Sequence, residues 1–146
     1  YWGWLEYQLV FETNGIADAE EKLRKAIEIV TKTTVEDTSF SHINEVLLNK
    51  IVINEYSKSY LTKEVDTENK EGYFVIYKRL VNRLSKMIQS VDSGYSYPSS
   101  LASTILEGSL HQNFLKDHFS SLTDCHDKQD PTQYFLLLTF SSLKSN

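Results

Sequence analysis

The sequence has little cysteine, proline or glycine: of its 146 residues, one is Cys, two are Pro and five are Gly. Because Cys125 stands alone, no intrachain disulfide can form, whereas small secreted domains usually depend on disulfides. We therefore expect an intracellular location, in the cytoplasm or the nucleus. No apolar run approaches the roughly 20 residues that cross a bilayer, so we also expect no membrane insertion.

The few glycines are scattered, which bears on catalysis and nucleotide binding. A phosphate-binding loop needs clustered glycines so that backbone N–H groups can approach the phosphate. A serine nucleophile of the hydrolase type needs the pattern Gly-x-Ser-x-Gly, which does not occur in the sequence. We therefore predict a protein that is not an enzyme and that holds no cofactor and no metal. The five glycines are Gly3, Gly15, Gly72, Gly94 and Gly108.

The chain has enough apolar residues to build a folded core. Hydrophobic residues make up 40% of it and charged residues 24%, which is typical of a globular domain. We predict a single domain over residues 1–146 and, because the chain begins with Tyr1 rather than Met, we expect it to be a piece of a longer protein. The net charge of −5 disfavours nucleic acid as a partner, since the phosphates would be repelled.

Hydrophobic periodicity predicts a mixture of helices and strands. In residues 4–13, apolar and polar residues alternate, which is typical of a half-buried strand. Asp18 stands three residues before Glu21, a capping arrangement that predicts a helix over 18–33. A sustained 3.6-residue period predicts a helix over 73–91, which is followed by a flexible loop over 93–100.

The remaining segments complete an α+β prediction. Pro98 opens a predicted helix with a break at Gly108, and residues 134–140 are apolar on both faces, as in a central strand. Residues 42–62 fit either one helix or a short helix and a strand. We predict a small, mainly antiparallel sheet of about three strands packed with four to five helices, in the order β-α-α-β-α-α-α-β.

The helix predicted over 73–91 has an unusual charge pattern. Its polar face carries Lys78, Arg79, Arg83 and Lys86 and no acidic residue. These residues are candidate partner-binding residues, which an acidic segment of another protein could contact. The alternative is that they face solvent or meet the acidic first half of the same domain.

Two tryptophans near the start of the chain are the second candidate contact. In the predicted strand, Trp2 and Trp4 lie on the face opposite Leu5 and Leu9, so a sheet covered on one side would expose them. Exposed tryptophans often anchor protein interfaces. Helices covering both faces of the strand, or further chain before Tyr1, are the alternative explanation.

These features predict a non-catalytic protein–protein interaction or scaffolding domain, as a subunit of an intracellular multiprotein complex. Two alternatives stay open. One is an enzyme or small-ligand-binding domain whose site residues form no recognisable motif. The other is a subunit of a nucleic-acid-associated complex, which would need a basic surface wider than one helix.

Overall fold

The computed structural model of the chain describes residues 2–32, 67–125 and 130–144, with side chains of the 67–91 helix from Val75 onward. All regular elements in these ranges are helical and none is a strand, so the α+β prediction, with its sheet of about three strands, is wrong. The helices are α1 (Trp2–Thr13), α2 (Ala19–Lys32), α3 (Thr67–Val91), α4 (Pro98–His118) and α5 (Pro131–Ser142), and a short 3-10 turn at Ser120–Leu122 follows α4.

The predicted strand over residues 4–13 is instead helix α1. Its buried residues are Trp2, Leu5, Leu9 and Thr13, which recur every three or four residues and so share one face of a helix. The hydroxyl of Thr13 donates to the carbonyl oxygen of Leu9 at 2.6 Å, one turn back. The apolar residues of this segment fit both the two-residue period of a strand and the 3.6-residue period of a helix. The strand prediction relied on the two-residue period, which is the wrong one.

The predicted strand over residues 134–140 is also wrong, because it lies inside α5. This segment is apolar on every side, so it carries no period that separates helix from strand. Its start does carry a helix signal. The carboxylate of Asp130 accepts a hydrogen bond from the backbone N–H of Gln133 at 3.1 Å, and Pro131 occupies the first turn.

Helix α2 confirms the prediction over 18–33 to within one residue at each end. Asp18 caps it: Oδ2 accepts a hydrogen bond from the N–H of Glu21 at 2.9 Å. This helix is the centre of the fold, because it contacts all four other described helices. Its apolar side is fully buried, and Thr31 reaches across to Thr132 of α5 with 2.7 Å between the two hydroxyl oxygens.

Helices α3 and α4 are joined by a short turn around Asp92. Residues 98–100, which were predicted to belong to a loop over 93–100, form the first turn of α4. The buried carboxylate of Asp92 accepts hydrogen bonds from the N–H of Gly94 at 3.1 Å and from the N–H of Lys144 at 2.9 Å. One side chain therefore holds both the turn and the end of the described chain.

Helix α4 continues through Gly108, so the predicted break at that residue is wrong. The glycine serves close packing instead. A Cβ atom at Gly108 would lie 2.8 Å from Cζ of Phe135, a ring that is almost fully buried between α4 and α5. The two alternatives for residues 42–62 lie outside the described residues.

Candidate partner-binding site

Helix α1 separates the two tryptophans that the strand prediction placed on one face. Residues two apart in a helix point about 200° away from each other around its axis. Trp2 is 7% exposed and belongs to the core, where its ring meets that of Tyr77 edge-on at a centroid distance of 5.3 Å. Trp4 is 45% exposed. Of the two predicted anchors, therefore, Trp4 alone is placed to reach another molecule.

Trp4 is part of an exposed stack of rings, which we call the aromatic face (Trp4, Tyr7 and Phe11). The residues Tyr7 and Phe11 are 61% and 71% exposed. The rings of Trp4 and Tyr7 are 6.1 Å apart, and those of Tyr7 and Phe11 are 5.9 Å apart, both nearly parallel. Three aromatic residues therefore form one continuous surface along two turns of helix.

The aromatic face points away from the described helices against which α1 packs. Leu5 and Leu9 fix the buried side of α1, and residues at positions 4, 7 and 11 lie on the opposite side. Sequence reasoning missed Tyr7 and Phe11 because the strand prediction turned them inward with Leu5 and Leu9. Tyr7 follows Trp4 by three residues and Phe11 follows Tyr7 by four, and this helical spacing is the signal that would have identified them.

Two arginines of α3 meet one carboxylate of α1. The guanidinium of Arg79 donates two hydrogen bonds to Glu6, from Nε to Oε2 at 2.9 Å and from a terminal nitrogen to Oε1 at 2.8 Å. Arg83 approaches the same carboxylate, with Nε 3.4 Å from Oε2. Glu6 thus joins α1 to α3 through two arginines, and both predicted partner-binding arginines have a contact inside the fold.

This pairing shifts the pKa values of Glu6 and Arg79. The hydrogen bond from Arg79 lowers the pKa of Glu6 below its ordinary value of 4.5 and outweighs the opposing effect of desolvation; Arg83 adds a smaller effect in the same direction. The same hydrogen bond raises the pKa of Arg79. Glu6 therefore stays ionised at a lower pH than an ordinary glutamate does.

Beside this pair lies an open groove of about 440 Å³ between α2 and α3, which we call the basic groove. Arg79, Arg83 and Lys86 line it from α3, and Lys22 lines it from α2. None of its described lining residues is acidic. The remaining lining residues are Ala19, Asn82, Met87 and Ser90.

The groove changes the set of basic residues that the sequence singled out. Lys22 was missed because it lies on another helix, and only the packing of α2 on α3 brings it near Arg83 and Lys86. Lys78 is exposed but does not line the groove. It precedes Arg79 by one residue and so points about 100° away around the helix axis.

In the described ranges we find no metal-binding cluster besides these two surfaces, and no similar protein indicates a further site. Within the described ranges, no three His, Cys, Asp or Glu side chains gather closely enough to hold a metal ion. No helix in those ranges combines the length and the apolar content needed to cross a membrane. No protein-family model matches the chain, and no curated protein or solved structure is significantly similar to it.

Proposed function

We propose that this chain is a non-catalytic protein–protein interaction domain, acting as a subunit or scaffold of an intracellular multiprotein complex. The observation that carries the proposal is the aromatic face of α1. Three large rings exposed together on the outer side of a helix cost solubility, and the core that Leu5 and Leu9 help to form does not need them.

The chemistry of the aromatic face suits protein recognition. Tryptophan and tyrosine are enriched among the interface residues that lose most binding energy when truncated. Aromatic side chains have few rotatable bonds, and here they already stack on one another. Little conformational entropy would therefore be lost when a partner covers them.

The spacing of the rings suggests how a partner would bind. Positions 4, 7 and 11 follow the i, i+3, i+7 pattern with which one face of a helix fills an apolar groove. The expected partner is therefore a protein with an apolar groove that takes two turns of α1. Val10, which is partly exposed beside Phe11, would lie at the edge of the contact.

Site-specific photo-crosslinking in the native cell tests this proposal. A photoreactive phenylalanine analogue replaces Phe11 in one variant and Leu137 in a matched control. Leu137 is 69% exposed on α5, comparable to Phe11, but it lies outside the aromatic face. We expect a discrete crosslinked protein from position 11 that is absent from position 137.

Two results would contradict the proposal. Position 11 could give no crosslink above the level seen at position 137, or both positions could give the same set of products. Crosslinking after Trp4→Ser and Tyr7→Ser substitutions adds a second check, because loss of the neighbouring rings should abolish the product from position 11.

A further inference from the structure

We propose that the basic groove binds a partner segment rich in aspartate and glutamate, and that the negative charge of Glu6 weakens this binding from inside the fold. The inference rests on the proposed function as an interaction domain and adds a second contact with a different chemistry. The groove brings together four cationic side chains from two helices. This local set of positive charges contrasts with the net charge of −5 of the whole chain.

Glu6 shows which ligand chemistry the arginines accept. Arg79 holds its carboxylate through two parallel hydrogen bonds, the geometry in which guanidinium groups recognise carboxylates. Arg83 contributes a longer bond from Nε alone, so its terminal nitrogens keep their donors available for another acceptor. A second carboxylate can therefore bind beside the first without displacing it.

The two lysines add two positive charges that Glu6 does not neutralise. Among the residues that the structure describes, the ammonium groups of Lys22 and Lys86 have no ion-pair partner. They lie on different helices and line one open groove, so an extended acidic segment can meet both. The amide of Asn82 can donate to or accept from its backbone, and the hydroxyl of Ser90, which donates to the carbonyl oxygen of Lys86 at 2.9 Å, can still accept from a backbone N–H.

Glu6 limits the strength of this binding. Its carboxylate is negatively charged near neutral pH and contacts two of the four cations, so it repels an incoming carboxylate. Glu6→Gln removes that charge, keeps the shape of the side chain, and leaves an oxygen that can accept from Arg79. We expect this variant to bind an acidic peptide about two- to fivefold more tightly, the range set by one partly screened charge.

Fluorescence anisotropy with a labelled poly-glutamate peptide tests the inference. Lys22→Glu and Lys86→Glu should each weaken binding by about fivefold or more at low salt, since each reverses one charge in the groove. Lys78→Glu is the matched control, because it makes the same charge change on α3 outside the groove. We expect it to leave the affinity within about twofold.

Three results would overturn the inference. Lys78→Glu could weaken binding as much as Lys86→Glu, which would show attraction by general charge. Glu6→Gln could leave the affinity unchanged or lower it. A single-stranded oligonucleotide of equal length could displace the peptide as effectively as unlabelled poly-glutamate, which would indicate a site for any polyanion.

The same assay separates this inference from the proposed function. A variant with serine at the three positions of the aromatic face should bind poly-glutamate as the wild type does, because none of those residues lines the groove. Failure of the groove variants would leave the crosslink at position 11 intact. If the crosslink at position 11 were absent, the proposed function would fail, but the effects of the groove variants on peptide affinity would still test the groove.

Discussion

Helices α1 and α2 pack against each other and each buries one apolar stripe, but they present opposite chemistries to solvent. The outer side of α2 carries charged residues, and that of α1 carries rings. Folding explains the buried stripe of each helix and the polar outer side of α2. It does not explain exposed rings, and for this reason we assign the outer side of α1 to a partner. The exposed charged residues of α2 include Glu20, Glu21 and Arg24.

Helix α5 shows how a partly buried ring at the edge of the core is covered within the fold. The guanidinium carbon of Arg24 lies 4.5 Å above the ring centroid of Phe140, so a charged residue of α2 shields that ring. Among the described residues, no comparable cation covers Trp4, Tyr7 or Phe11. One ring is therefore shielded within the fold while three stay exposed, which supports the proposal that a partner covers the outer side of α1.

The largest expected effect comes from comparing a buried ring with an exposed one. Phe135→Ala should lower the free energy of unfolding by about 3–5 kcal/mol, because it leaves a cavity between α4 and α5. Phe11→Ala should change it by less than about 0.5 kcal/mol, since that ring supports no core contact. Urea denaturation followed by circular dichroism measures both. Similar losses in the two variants would mean that α1 needs its outer rings to fold.

A smaller difference in stability is expected between alanine variants of two helical glycines. Gly108→Ala should destabilise the protein by about 1–3 kcal/mol, because the added methyl group would overlap the ring of Phe135. Gly3→Ala has open space around it and should stabilise α1 by up to about 1 kcal/mol through helix propensity. Thermal unfolding compares them. If Gly108→Ala were as stable as Gly3→Ala, the close approach of α4 and α5 would be wrong.

The smallest effect concerns the ion pair between α1 and α3, and it depends on pH. The pKa of Glu6 is lower in the folded protein, so its pairing stabilises the fold above the ordinary value of 4.5 and is lost as the pH falls through the folded value. Glu6→Gln should therefore be less stable than the wild type at pH 7 and should approach it in acid. Denaturation at several pH values measures the difference. An unchanged difference between neutral and acidic solution would rule out the pairing.

The parts of the fold that the sequence predicted are those with a local signal. Helix α2 combines an apolar stripe, charged pairs and the cap at Asp18, so its bounds were predicted within a residue. The sequence of α1 fits both the helical and the strand period, and that of α5 is apolar on every side and fits neither. Periodicity could not identify either segment as a helix, and both were predicted as strands. The start signal at Asp130 and Pro131 was present but was outweighed by the apolar run that follows it.

The candidate site was only partly predictable for the same reason. Arg79, Arg83 and Lys86 share a face of one helix, so their spacing alone brought them together. Lys22 joins them through packing between helices, and Glu6 meets the two arginines 73 and 77 residues away in the sequence. Contacts of that kind leave no periodic pattern in a single sequence.

The most direct test of the central claim measures stability and partner binding in one variant. Trp4→Ser, Tyr7→Ser and Phe11→Ser together remove the aromatic face, and serine resembles these residues in helix propensity. We predict that the triple variant loses less than about 1.5 kcal/mol of unfolding free energy, as expected for three exposed sites. We also predict that it no longer co-purifies with the protein crosslinked at position 11. A variant that unfolds, or that folds and still retains this partner, would contradict the account.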